Sequence, residues 1–231
     1  MIPIPCVVAS VQVELANETA RQRRKLARPG ELTTAALHLF VEKGFAATRL
    51  DDVAARAGVS KGTLYLYFDS KEALFKAVIQ EGLVPMLDNA DGLVDQFDGS
   101  SADLMKALLK LWWESVGATP LGGIPKLLYS EARNFPEAAD FYHREVIQRG
   151  NRLVRRALER GIATGEFRAI DLDAAVELLF APLLMLMIWR HSLGPCTSAD
   201  HHPCHHPEKY LNAHIDLVLH GLLNAAPIAG V

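Results

Sequence analysis

The most constraining feature of the chain lies between Gly44 and Lys71, in the stretch GFAATRLDDVAARAGVSKGTLYLYFDSK. Cap residues and glycines recur here too closely for one long helix. Thr48, with Asp51 three residues on, reads as a capping box opening a helix whose Leu50, Val53, Ala54 and Ala57 face inward. Gly58 ends it, because so tight a turn needs the left-handed backbone that glycine adopts without strain. Ser60 caps a second, very short helix over Lys61–Tyr67. Ser70 caps a third beginning at Lys71, with Leu74, Phe75, Val78 and Ile79 as its buried stripe. Ala54 is small where the first two helices close on each other, and Val59 and Leu64 pin the second onto the first. Two short helices across a tight turn form a helix-turn-helix, whose second helix enters the DNA major groove.

The rest of the chain repeats apolar residues with helical spacing and shows no sustained two-residue alternation and no internal repeat. Leu32, Ala36, Leu39 and Phe40 mark a helix over Glu31–Lys43, with Gly44 as its C′ residue. Further helices are expected over 71–96, bent by Pro85, and over 102–117, 123–133, 137–164, 172–193 and 208–225. The expectation is an all-α chain of about nine helices, with a leader over 1–28, a three-helix DNA-binding head over 29–75 and a helical body over 76–231. Leu172–Trp189 is apolar almost all round, and Leu211, Ile215, Val218, Leu219, Leu222 and Leu223 stripe the final helix. These two helices carry more apolar surface than one small domain hides, which predicts a homodimer through them. The charge-free run Leu178–Trp189 is shorter than the ~20 residues of a bilayer span and is bracketed by Glu177 and Arg190, so it reads as a buried helix. Residues 2–13 are apolar, but two prolines and the absence of a preceding basic residue argue against a signal peptide.

Charge is distributed unevenly. The net charge is −3, yet residues 21–78 carry eleven Lys or Arg against six Asp or Glu, leaving the remainder acidic. A basic front suits a polyanion. Three cysteines cannot build a disulfide framework, which points to a reducing, cytoplasmic setting. No nucleophile elbow, phosphate-binding glycine loop or HExxH helix is present, so the chain does not read as an enzyme.

Residues 40–78, FVEKGFAATRLDDVAARAGVSKGTLYLYFDSKEALFKAV, resemble the TetR (TetR/AcrR) family of bacterial transcriptional regulators. The resemblance implies that the short helix capped by Ser60 presents Lys61, Gly62 and Thr63 to base edges of a double-stranded operator, with Tyr65 close behind. Lys61 would donate to guanine O6 or N7, and Thr63 would meet a thymine methyl or a phosphate. Gly62 would only permit close approach. Thr48, Tyr67 and Lys71 match positions that hold phosphates, aided by the amides at the start of the helix beginning at Arg49. Arg49 itself departs from the small polar residue of many relatives and is a candidate further contact. The run Arg21, Arg23, Arg24, Lys25 and Arg28 reads either as a DNA-contacting arm or as a solvated charge run.

The resemblance also implies that the body binds a small-molecule inducer and dimerises. Trp112, Trp113, Tyr129, Phe141, Tyr142, Phe180, Met185, Met187 and Trp189 are candidate pocket walls, with plain core as the alternative. Finally, Cys196, His201, His202, Cys204, His205 and His206 crowd one Pro-bounded loop. Soft sulfur and imidazole suit a transition metal such as zinc, copper or nickel, although the spacing matches no common metal motif. No other cofactor is expected. Three readings stay open: a regulator responding to an apolar ligand, a metal-responsive regulator using the Cys196–His206 tract, and a protein whose DNA binding controls a partner.

Overall fold

A computed structural model describes residues 29–196 and 205–224. Among them every regular element is a helix, and the connections include one β-bridge, between Phe167 and Leu223. The leader and its basic run lie outside the described residues, as do His201, His202 and Cys204.

The head is built by α1 (29–43), α2 (Leu50–Arg56), α3 (Lys61–Tyr65) and α4 (Lys71–Gly82). Gly44 and Gly58 take φ of 86° and 68°, the left-handed conformation their turns require. Leu32, Phe40, Val53, Leu64, Leu74 and Ile79 converge with almost no exposed surface. Ser60 and Ser70 cap α3 and α4 as expected, each side chain accepting an amide hydrogen bond, from Thr63 and Ala73.

One expectation for the head is corrected. Arg49, not Thr48, is the N-cap of α2, and it makes no side-chain cap bond. The Thr48 hydroxyl instead donates back to the carbonyls of Gly44 (2.7 Å) and Leu39 (3.2 Å), and the residue is only 1% exposed. The helix expected over 71–96 is present and interrupted only at Leu83, which keeps helical i to i−4 hydrogen bonds on both sides; Pro85 in the first turn of α5 (Val84–Gln96) cannot donate into the preceding helix, and this gives the expected bend.

Lys71 holds the α1–α2 connection in place. Its ammonium donates to the carbonyls of Phe45 (2.6 Å), Ala46 (3.1 Å) and Thr48 (3.0 Å), and lies 4.7 Å from the centroid of the Phe45 ring. All three of its protons are spent. Burial pulls this lysine below the ordinary lysine range.

The body continues with α6 (Ser101–Trp112), α7 (Ile124–Glu131), α8 (Pro136–Tyr142), α9 (Gln148–Ala163), α10 (Leu172–His191) and α11 (Pro207–Leu222). π-helical turns at Trp113–Gly117 and His143–Ile147 extend α6 and join α8 to α9. α9 lies across α5 and α6. Its Arg149 and Arg156 pair with Asp88, Asp91 and Asp95 of α5, and Arg160 donates to the carbonyls of Phe97 and Gly99. Phe167 folds over Gly161, where an added Cβ would stand 2.1 Å from its ring. The Phe167–Leu223 bridge then ties the end of α11 to the body.

α10, expected from its apolar sequence to be a buried helix, is buried along one stripe only. Val176, Leu179, Leu183, Leu186 and Met187 enter the core, while Leu178 and Met185 are 69% and 60% exposed. α11 packs beside it, and its buried His214 meets the Leu179 carbonyl through Nε2 at 2.9 Å.

Replacing Lys71 with methionine strands three carbonyls. It should lower stability by about 1–3 kcal/mol, read as a reduced urea midpoint; an unchanged midpoint would show the clamp to be idle. Burial holds His214 below the usual histidine range, and its bond to Leu179 offsets this only in part. His191 shifts the same way, through burial and the nearby Arg190 and Lys126. The unfolded chain therefore takes up protons that the folded one resists. Thermal midpoints should stay level above about pH 6.5 and fall as the pH drops below it. His214→Gln should remove part of that slope.

Candidate nucleic-acid interface and ligand cavity

α3 is five residues long and buries one large side chain, Leu64. Everything else on it faces outward or serves its cap. Ser60 Oγ accepts from the Thr63 amide at 3.1 Å and lies 2.8 Å from the Thr63 hydroxyl, which locks the first turn. Lys61 is exposed and bonds Asp51 of α2 at 2.9 Å; that carboxylate raises the lysine above its ordinary range. An exposed pair of this kind costs little to exchange for another acceptor. Gly62 faces open space, with only Ser60 Oγ, at 3.9 Å, near the place a Cβ would take. Neither packing nor backbone conformation within the chain requires glycine there.

Tyr65 is 47% exposed, and Lys61 Nζ lies 5.9 Å from its ring centroid. Leu66, which the sequence reading passed over, is 82% exposed. The signal for it was available, since Leu66 stands about 200° round the helix from buried Leu64 and must therefore face away. Tyr67 is half-buried against the head core. Arg49 is exposed at the start of α2 and makes no ion pair with any described residue.

Two of the expected phosphate-holding side chains already spend their polar groups within the chain. Thr48 is buried with its hydroxyl bonded inward, and the Lys71 ammonium is fully engaged by carbonyls. Other basic side chains of the head are paired: Arg56 forks onto Glu42 at 2.6 and 2.8 Å, and Lys43 meets Asp52 at 3.2 Å.

A cavity of about 460 Å³ opens in the body between α5, α7, the His143–Ile147 turn, α9 and α10. Of the aromatic and Met candidates, Trp112, Tyr129, Tyr142 and Phe180 line it. The Trp112 and Phe180 rings meet edge to face at 5.9 Å. Burial, with Tyr129 beside it, pushes the Tyr142 phenol above its ordinary range. The others do not line it. Trp113 and Met187 are core residues, Met185 is on the outer face of α10, Phe141 lies near Lys76, and Trp189 lies further along α10. Trp112 and Trp113 part because consecutive helical residues diverge by about 100°. Asn151, Glu177 and Leu184 also line the cavity and were not anticipated. Glu177, Phe180 and Leu184 share one stripe of α10, a spacing legible only once one knows which stripe faces the opening.

The cavity reaches the head through α7. Leu128 and Ala132 line both this cavity and a small void beside Phe45, Phe75 and Phe135. Glu131, between them in sequence, accepts a hydrogen bond from the Ala46 amide at 3.2 Å. The Phe135 ring meets Phe45 at 4.3 Å between centroids.

In the His/Cys tract, Cys196 is exposed at the end of a short 3-10 turn, and His205 and His206 precede α11. The described residues contain no group of three or more potential ligands.

Comparison with known proteins matches these parts in order. The family model "Bacterial regulatory proteins, tetR family" covers residues 32–78, and "Tetracyclin repressor-like, C-terminal domain" covers 98–201. The chain is 26% identical over 224 residues to the HTH-type transcriptional regulator EthR of Mycolicibacterium smegmatis, spanning 92% of this chain and 96% of that one. It is 29% identical over 178 residues to the HTH-type transcriptional repressor KstR2 of Rhodococcus jostii, spanning 75% and 84%. Its fold is similar to that of FadR from Bacillus subtilis, solved with stearoyl-CoA, with a TM-score of 0.67, 17% identity and coverage of 83% and 97%. A capped recognition helix on a three-helix head, joined to a hollow helical body and matched by both family models, makes this chain a DNA-binding transcriptional regulator of the TetR family.

Proposed function

We propose that the protein is a homodimeric repressor whose two α3 helices read a palindromic operator, and that a small ligand in the body cavity releases it. The observation that carries the DNA reading is the outer face of α3. Lys61, Tyr65 and Leu66 project from it, and Gly62 interrupts it with a bare backbone that nothing inside the chain demands. Glycine forms helix less readily than alanine, so its use in the first turn of α3 favours close approach by an outside surface. Lys61 suits guanine O6 and N7, Leu66 suits a thymine methyl, and Arg49 suits a flanking phosphate. Thr48 and Lys71 contribute by shaping the loop that leads into α2. The KstR2 relative is a repressor by name, which favours repression for this chain.

Dimerisation rests on α10 and α11. Ala174, Leu178, Ala181 and Met185 recur at helical spacing on the outer face of α10, and Leu217, 74% exposed, continues the patch on α11. Closing two such faces on each other forms a four-helix interface and sets two heads about 34–36 Å apart on successive turns of one DNA face.

Release requires a ligand that binds one head spacing better than the other. The route runs from the cavity wall at Leu128 and Ala132, through Glu131 and Phe135, to the Phe45–Ala46 loop whose carbonyls Lys71 holds. A shift of α7 is thereby felt at the start of both α2 and α4.

Selection from a random DNA pool should enrich inverted repeats with half-site centres about 10 base pairs apart or a multiple of that. No enrichment above background at moderate salt would sink the proposal. Lys61→Ala should cost about 1–3 kcal/mol of discrimination at one base pair in each half-site. Leu178→Asp together with Leu217→Asp should yield a folded monomer by analytical ultracentrifugation; a dimer persisting in that variant would place the interface elsewhere.

A further inference from the structure

We infer that the cavity selects a ligand with an apolar body and a single cationic nitrogen, the cation resting against Glu177 at the cavity edge. This rests on the reading of the cavity as the effector site and names the ligand class for it. Among the residues that line the cavity, Glu177 is the only Asp, Glu, Lys or Arg, and the wall also holds one imidazole, that of His143. Its one polar contact is the Asn151 amide, which donates to Oε1 at 3.4 Å. Nearby acids are differently placed: Asp173, one turn earlier on α10, pairs with Arg155, and the α5 aspartates pair with Arg149 and Arg156. Glu177 is the cavity carboxylate that no cation of the described residues neutralises.

The walls around it extend the preference. Trp112, Tyr129, Tyr142 and Phe180 present aromatic rings, whose faces attract a cation and whose bodies suit an alkyl or aryl group. A carboxylate or phosphate head would meet the Glu177 charge with no lysine or arginine in the wall, only the His143 imidazole, to offset it. A volume of about 460 Å³ accommodates a molecule of drug size, with its apolar part inside and its charged end at the exposed Glu177. Because Glu177 is exposed, solvent screens the attraction, and the selectivity is modest in size.

Three probes with one ten-carbon tail test this on the full chain by isothermal titration calorimetry: decyltrimethylammonium, decanol and decanoate. The ammonium should bind tightest and decanoate weakest. Glu177→Gln should weaken the ammonium about two- to fivefold and leave decanol unchanged. Gly150→Leu, which fills the cavity beside Phe180, should abolish binding of all three. Decanoate binding as well as the ammonium, or an ammonium affinity indifferent to Glu177→Gln, overturns the inference while decanol binding keeps the cavity as an effector site. Failure of all three probes to bind, or full retention in Gly150→Leu, overturns the effector-site reading together with it.

Discussion

The packing of Phe45 is the contact on which the rest of the molecule depends. It sits between Phe40 and Phe75 of the head, at 5.1 and 5.4 Å, and meets Phe135 of the body at 4.3 Å. Buried ring contacts of this kind contribute beyond their area. The loop carrying Phe45 would leave its carbonyls unmatched without the Lys71 ammonium. Head and body thus share one aromatic cluster with one cationic clamp, and neither can reorient without disturbing it.

That joint divides the polar residues of the helix-turn-helix into two groups. Thr48 and Lys71 turn inward and set the geometry of the α1–α2 loop. Arg49, Lys61, Gly62, Tyr65 and Leu66 turn outward, and little in the chain restrains them beyond the Lys61–Asp51 pair. An inward residue and an outward one can stand side by side, as Thr48 and Arg49 do, because the helix start places them on opposite sides of the backbone.

The body shows the same economy at larger scale. Ion pairs between α5 and α9 and the fold of Phe167 over Gly161 close one side firmly. On the other side the π-helical turn at His143–Ile147 contributes to a hollow between α7 and α10. α10 serves three surfaces at once: a core stripe through Leu183, a cavity stripe through Phe180 and an outer stripe through Leu178. This explains why its sequence is apolar on nearly every side.

The sequence by itself determined the all-α class, the position of the turn at Gly58, the caps at Ser60 and Ser70, and the basic front. These are local matters, set by backbone conformation, by hydrogen bonds spanning three residues and by net charge. Tertiary structure alone decided which of Trp112 and Trp113 faces the cavity, that Glu177 reaches it, and that Thr48 and Lys71 spend their polar groups on main-chain carbonyls. Each of those outcomes depends on what a distant segment brings to the same place, and residue type and spacing along one helix carry no record of that neighbour.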